Sequence, residues 1–417
     1  MHTSLMVRGG VGVASLALAL AACGGGNTAA PTSTTTTGST PPPASATTAS
    51  DVTATPTATL EAGLDQLLRE HVDLTANVVE TAITKGPSST DTKNALAALD
   101  ANTVGLGQAI GSVYGPAAQT AFIKLWRAHI GFFVNYTLGL ASNNTSMVNT
   151  ANQDLAGYIT QFSAFVNSAT QLPASAVAAD LQGHVTTLET AIKAIVTKSP
   201  EAGKDIEMAA MHMDGTAQVL AQGIATSKNI SGSATGAGAA LREGLTGLLI
   251  QHVAATTFVV QTAVANGGNL KAPEVQGAIS ALTDNTNQLG AALGSVYGPA
   301  AQAEFLKLWN AHIGFFVKYT LGKATKNASQ VTQAQSDLSG YISQFSAFVS
   351  SATKLPASAV AADLQGHVQT LEATINDIVG DSPSTSADLA MAESHMAGTG
   401  AVLAQGIAAA NPSKFTN

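Results

Sequence analysis

Charge is scarce in this 417-residue chain: Asp, Glu, Lys and Arg make up 11% of it, less than half the usual share. Its surface must therefore be covered mainly by Thr, Ser, Asn, Gln and Ala. The net charge of −8 leaves no basic stripe, and without one the electrostatic footprint of a nucleic-acid binder is missing. Aromatic residues are few, 5% of the chain, and they fall in repeated blocks that read as core rather than as a stacking platform. Cysteine occurs once, as Cys23, which excludes an intrachain disulfide and leaves the rest of the chain without thiolate ligands or a cysteine nucleophile. There is also no HExxH, no nucleophile elbow and no phosphate-cradling glycine motif. The chain therefore reads as a binder before an enzyme. No stretch alternates with period two, so no sheet is expected.

What is present begins with a short, weakly basic start, Met1 to Arg8, and an apolar run, Val11 to Ala19, too short to span a bilayer. Small residues follow, Leu20-Ala21-Ala22-Cys23 and three glycines. This is the layout of a secretory signal, and LAAC resembles the bacterial lipobox. The resemblance implies cleavage after residue 22, acylation of the Cys23 thiol by chains such as palmitate, and a lipoprotein tethered to the cell membrane or envelope on its extracytoplasmic side. No transmembrane segment is expected in the mature chain, so the membrane is a partner only through the anchor. Residues 23–58 comprise the cysteine and a Thr/Ser/Pro-rich tract that cannot bury a core and reads as a disordered stalk.

The remainder is a duplication. YGPAAQ at Tyr114 recurs at Tyr297, HIGFFV at His129 recurs at His312, and LPASAVAADLQGHV at Leu172 recurs at Leu355. The copies occupy residues 59–226 and 240–411, joined by a Gly/Ser linker, 227–239. In the first copy the periodicity predicts six helices, about 60–84, 91–113, 116–141, 146–170, 173–197 and 201–226. They are separated by Gly86-Pro87, Gly115-Pro116, Asn143-Asn144, Leu172-Pro173 and Ser199-Pro200. Long helices on short turns must run antiparallel. The expected fold is all-α: two tandem antiparallel six-helix bundles after the stalk.

Each helix carries one polar residue near its midpoint, within its apolar stripe. These are His71, Asn102, His129, Tyr158, His184 and His212 in the first copy, and His252, Asn285, His312, Tyr341, His367 and His395 in the second. Apart from His2 in the signal, they include every histidine of the chain. Around them the outer helices have diverged: LLREHVDLTANVV has become LLIQHVAATTFVV. Midpoints of equal helices share a level, so a polar layer is expected in which the four histidines of each copy converge, supported by Asn102, Tyr158, Asn285 and Tyr341. Met208 and Met391 stand one turn before His212 and His395, and a thioether beside an imidazole suits copper. The expected ligands are thus His71, His129, His184, His212 and Met208, then His252, His312, His367, His395 and Met391, for copper first and zinc or iron behind. Glu70 and Glu80 become Gln251 and Gln261 in the second copy and carry no assigned role.

The blocks LDANT, SVYG, LWRAHIGFFVNYT and HMDGT resemble a His-containing helical module of uncharacterised secreted bacterial proteins. That resemblance implies the helical fold and the extracytoplasmic setting, but no activity. Two functional expectations lead, binding or sequestering a transition metal, or a structural or partner-binding surface protein whose His/Asn/Tyr layer only specifies the fold; a metal-dependent enzyme is a weaker third.

Overall fold

A computed structural model describes residues 51–415. The expected signal sequence, Cys23 and the expected stalk up to residue 50 lie outside the described residues. Those that are described form twelve α-helices and no strand. In the first copy these are α1 (Pro56–Lys85), α2 (Thr90–Tyr114), α3 (Pro116–Ala141), α4 (Thr145–Thr170), α5 (Ala174–Val196) and α6 (Ala202–Lys228). In the second they are α7 (Ala237–Ala265), α8 (Pro273–Tyr297), α9 (Pro299–Ala324), α10 (Ala328–Thr353), α11 (Ala357–Gly380) and α12 (Thr385–Ala410).

Local chemistry explains the boundaries. Pro116 and Pro299 open α3 and α9 at the first helical position, where a missing N–H costs nothing. The preceding Gly115 and Gly298 take φ of 86°, a backbone conformation that favours glycine. The side chains of Asn144 and Asn327 accept from the N–H groups of Met147 and Gln330, capping α4 and α10.

Consecutive helices pack as neighbours, and α6 and α12 close back onto α1 and α7 respectively. The two copies also pack on each other, through α1 against α7 and α6 against α8. One apolar cluster even joins Leu74, Val78 and Leu99 of the first copy to Leu249, Val253 and Val260 of the second. The consequence is that α1 and α7 are buried nearly all round. By length and composition α7 could cross a bilayer, but 67% of its most apolar window is buried inside the fold.

The expected stalk ends earlier than residue 58. Thr53 is 1% exposed, and Thr57 bonds the Ser231 carbonyl through its N–H at 3.1 Å and its hydroxyl at 3.0 Å. Pairing with the loop between the copies recruits the end of the Thr-rich tract into α1.

Candidate metal centre

Three histidines of each copy converge. His71 on α1, His129 on α3 and His184 on α5 are all at most 2% exposed. Each offers a ring nitrogen lying within 4.8 Å of those of the other two. The His71 and His129 Nε2 atoms are 3.3 Å apart, and the ring centroids are separated by 5.2, 5.8 and 6.2 Å. His252, His312 and His367 reproduce this on α7, α9 and α11, with the same Nε2 spacing of 3.3 Å and centroids at 5.2, 5.8 and 6.2 Å. Tetrahedral ligands at Zn–N distances of about 2.0–2.1 Å are themselves about 3.3 Å apart. The closest pair of each triad already has that spacing.

The walls are aromatic. The Trp126 ring lies 5.0 Å from His71 and 4.6 Å from His129. Tyr158 stacks on His129 at 4.8 Å and 14°, and Phe133 meets His184 edge-on. This is the stripe of LWRAHIGFFVNYT, with Phe122, Trp126, His129, Phe133 and Tyr136 all buried along one face of α3.

Burial sets the protonation. Desolvation, then the neighbouring imidazoles, hold His71 and His252 well below their usual range. The same causes bring His129, His184, His312 and His367 down to about 3. All six are neutral at physiological pH, the form in which imidazole ligates metals. The Trp309 carbonyl accepts from His312 Nδ1, which directs the Nε2 lone pair of His312 toward His252. His129 Nδ1, the corresponding nitrogen of the first copy, has no hydrogen-bond partner. Neither nitrogen of His184 or His367 has a hydrogen-bond partner, and the Trp126 and Trp309 indoles and the Tyr158 and Tyr341 hydroxyls are likewise unpaired. Unpartnered polar atoms are rare in buried cores; here they gather around each triad. The residues present therefore fit a metal held by neutral nitrogen.

His212 and His395 stand outside the triads, which corrects the expected four-histidine layer. Their side chains are 26% and 25% exposed. Each Nε2 lies 3.0 Å from the backbone carbonyl of Asp180 or Asp363, and the same aspartates accept from Thr216 and Thr399 at 2.9 Å. The rings lie over Gly183 and Gly366, where a Cβ would come within 2.5 and 2.6 Å of the imidazole. These histidines clip α6 to α5 and α12 to α11. Met208 and Met391 are 45% and 49% exposed and reach neither triad. The buried stripe of α6 is carried by Ala209, Ala210, Met213, Ala217, Ala221 and Ile224, a face that alanine made inconspicuous.

Asn102 and Asn285 also stay apart from the triads. Each donates from Nδ2 to a carbonyl of the neighbouring helix, Leu67 at 2.8 Å and Leu248 at 2.9 Å. Tyr158 and Tyr341 do reach the site, as stacking partners of His129 and His312.

Sequence reasoning missed a second group. Glu61, Asp65, Arg69, Asp73 and Asn77 on α1 are all buried, although their spacing of four reads as a solvated helix face. Glu70 is also buried, and Glu393 of α12 is 0% exposed. The available signal was asymmetry: Arg242, Thr246, Ile250, Ala254 and Phe258 stand in the corresponding places of the second copy. No protein-family model, no curated protein and no solved structure matches this chain, so its candidate sites rest on their own geometry.

Proposed function

We propose that the chain is a membrane-anchored extracytoplasmic lipoprotein that sequesters a transition metal, with one ion in each buried three-histidine cluster and copper(I) as the preferred ion. The observation that carries this reading is the duplicated convergence of three neutral imidazoles, with one Nε2 pair at 3.3 Å and both nitrogens of the third ring unpaired. Copper is favoured on new grounds, since Met208 and Met391 take no part. No carboxylate joins either triad, so the charge of a bound ion stays uncompensated. The cost of burying an ion rises with the square of its charge, which favours a monovalent over a divalent one. Three nitrogen donors in an aromatic, water-poor cage suit Cu(I), with Zn(II) as the divalent competitor.

The decisive measurement is metal content of the mature protein after anaerobic exposure to Cu(I), and separately to Zn(II) and Fe(II). About one Cu(I) per triad is expected. The pair His71→Ala and His129→Ala should remove the ion of the first copy only, while His212→Ala and Met208→Ala leave both. A folded protein that takes up none of the three metals overturns the reading.

The rival is a histidine layer that only specifies the fold. The His71–His129 contact favours it, since 3.3 Å between two neutral rings also admits an N–H···N bond. In that case His184→Phe would keep or raise stability, whereas a ligand role makes it lower the metal content. The anchor has its own test: a palmitate label that is incorporated by the chain and lost in Cys23→Ala.

A further inference from the structure

The geometry points to a second, chemically different site: a hard divalent cation of the calcium class held by Asp65, Asp214 and Glu243 at the seam between the two copies. It is independent of the histidine clusters and uses none of their residues.

The three carboxylates come from three helices, α1, α6 and α7, and so from both copies. Each presents an oxygen within 4.8 Å of the other two. Oxygens on a sphere around Ca²⁺, at about 2.4 Å, are at most about 4.8 Å apart. Asp65 is the member that demands an occupant. It is 0% exposed, and neither of its oxygens receives an N–H or O–H donor. An oxygen of its carboxyl lies within 4.8 Å of one of Asp214, whose Oδ1 is also unpaired. Two buried carboxyl groups this close need a proton or a cation to be held together.

Charge balance gives the same answer. Glu61, 1% exposed, is close enough to Glu243 to be raised by it. Four carboxyl groups, those of Asp65, Asp73, Asp214 and Glu243, act on one guanidinium, that of Arg69. Arg69 bonds Asp214 through Nη2 and lies with Nε 3.5 Å from Asp65 Oδ1. One positive charge against four acids leaves a deficit that a divalent ion largely removes. Burial disfavours ionisation of Asp65, and Arg69 opposes that effect only in part. Hard oxygen donors without nitrogen or sulfur select Ca²⁺, Mg²⁺ or Mn²⁺ over copper. Asp214 and Glu243 are only half-buried, which leaves a solvent side where water completes the six to eight ligands of calcium. The site occurs once per chain, because Thr246 and Ala397 replace Asp65 and Asp214 in the second copy. Its effect would be to fasten α7 to α1 and α6.

The full chain, stripped with chelator and held at neutral pH, is titrated calorimetrically with CaCl2, MgCl2 and MnCl2 while its melting midpoint is followed. About one ion per chain is expected, with a midpoint that rises with Ca²⁺ and returns on adding EDTA. Asp65→Asn and Glu243→Gln should each weaken binding at least tenfold. Glu243→Gln, at a half-buried position, serves should Asp65→Asn fail to fold. The pair His71→Ala and His129→Ala should leave the calcium response intact, so either site can fail without the other. No heat of binding and a midpoint indifferent to all three ions would show that a shared proton holds Asp65 to Asp214, and would overturn the proposal.

Discussion

At the residue scale, one imidazole serves two different ends in this fold, and its neighbours decide which. His129 lies among Trp126, Tyr158 and two further histidines, where burial keeps it neutral and its Nε2 meets another ring nitrogen. His212 lies over Gly183 and bonds a main-chain carbonyl on the next helix. From spacing alone the two are equivalent, each an inward histidine in a helical stripe. The distinguishing residue is the glycine preceding His184, which lets the α6 ring approach the α5 backbone. Gly183→Ala places a methyl group against that ring, and a loss of about 1–3 kcal/mol is expected from denaturant unfolding. Adding His212→Ala should recover most of this loss. If the double variant is no more stable than Gly183→Ala, the contact is not the reason for the glycine.

At the scale of the helix, twelve elements were legible because apolar periodicity and punctuation agree. The predicted 116–141 and 146–170 correspond to Pro116–Ala141 and Thr145–Thr170. The face of α6 was not legible. An apolar stripe made largely of alanine has little contrast with a surface that is itself rich in Ala and Thr, and the larger Met208 drew attention to the wrong side. Met208 is 45% exposed, while Met213 is 1% exposed. Met213→Ala should therefore cost about 2–5 kcal/mol, and Met208→Ala less than about 0.5 kcal/mol. Equal effects in urea titrations would reverse the assignment of faces.

At the scale of the molecule, packing the copies on each other buries a helix that sequence alone would place half in water. The acids of α1 become interior groups, and this gives stability an unusual pH dependence in protein free of bound cations. Burial raises Glu70 and Asp73 to about 7, and raises Glu393 well above its ordinary value with Asp73 and Glu70 adding to the effect. Between about pH 4 and 7 the folded state thus holds protons that the unfolded chain has released. That contribution is complete below the ordinary carboxyl pKa and is lost as pH rises through about 7. The core histidines act in the opposite sense. With folded values near 3 for four of them, their stability is present above about 6.5 and lost as pH falls toward 3. Between about pH 4 and 6.5 the two contributions therefore oppose each other; the melting midpoint should fall below about pH 4, where only the histidines still titrate, and fall again from about pH 6.5 upward, where only the acids do. Asp73→Asn should lessen the loss of stability between about pH 4 and 7 and leave the limb below about pH 4 unchanged, and a midpoint that climbs steadily from about pH 6.5 to 8 would contradict the buried seam. The seam has a steric test as well. Gly277 on α8 lies against the Pro200 carbonyl of the other copy so closely that a Cβ would overlap it. Gly277→Ala should separate the copies at that point, read as an increased radius of gyration in scattering and a lowered midpoint.

The amino-acid pattern alone determined the all-helical class, the six-helix repeat, its duplication and the helix limits to within a few residues. Each of these follows from local periodicity, turn residues or self-similarity. It also singled out eight inward histidines, six of which form the triads, because a polar residue held in an apolar stripe through two diverging copies is visible in one dimension. Only the tertiary structure decided which histidines meet, since convergence depends on the rotation of each helix about its axis, a quantity that an alanine-rich stripe leaves undefined. The same holds for the acids of α1, whose environment depends on the docking of α1 between α6 and α7 rather than on anything in their own segment.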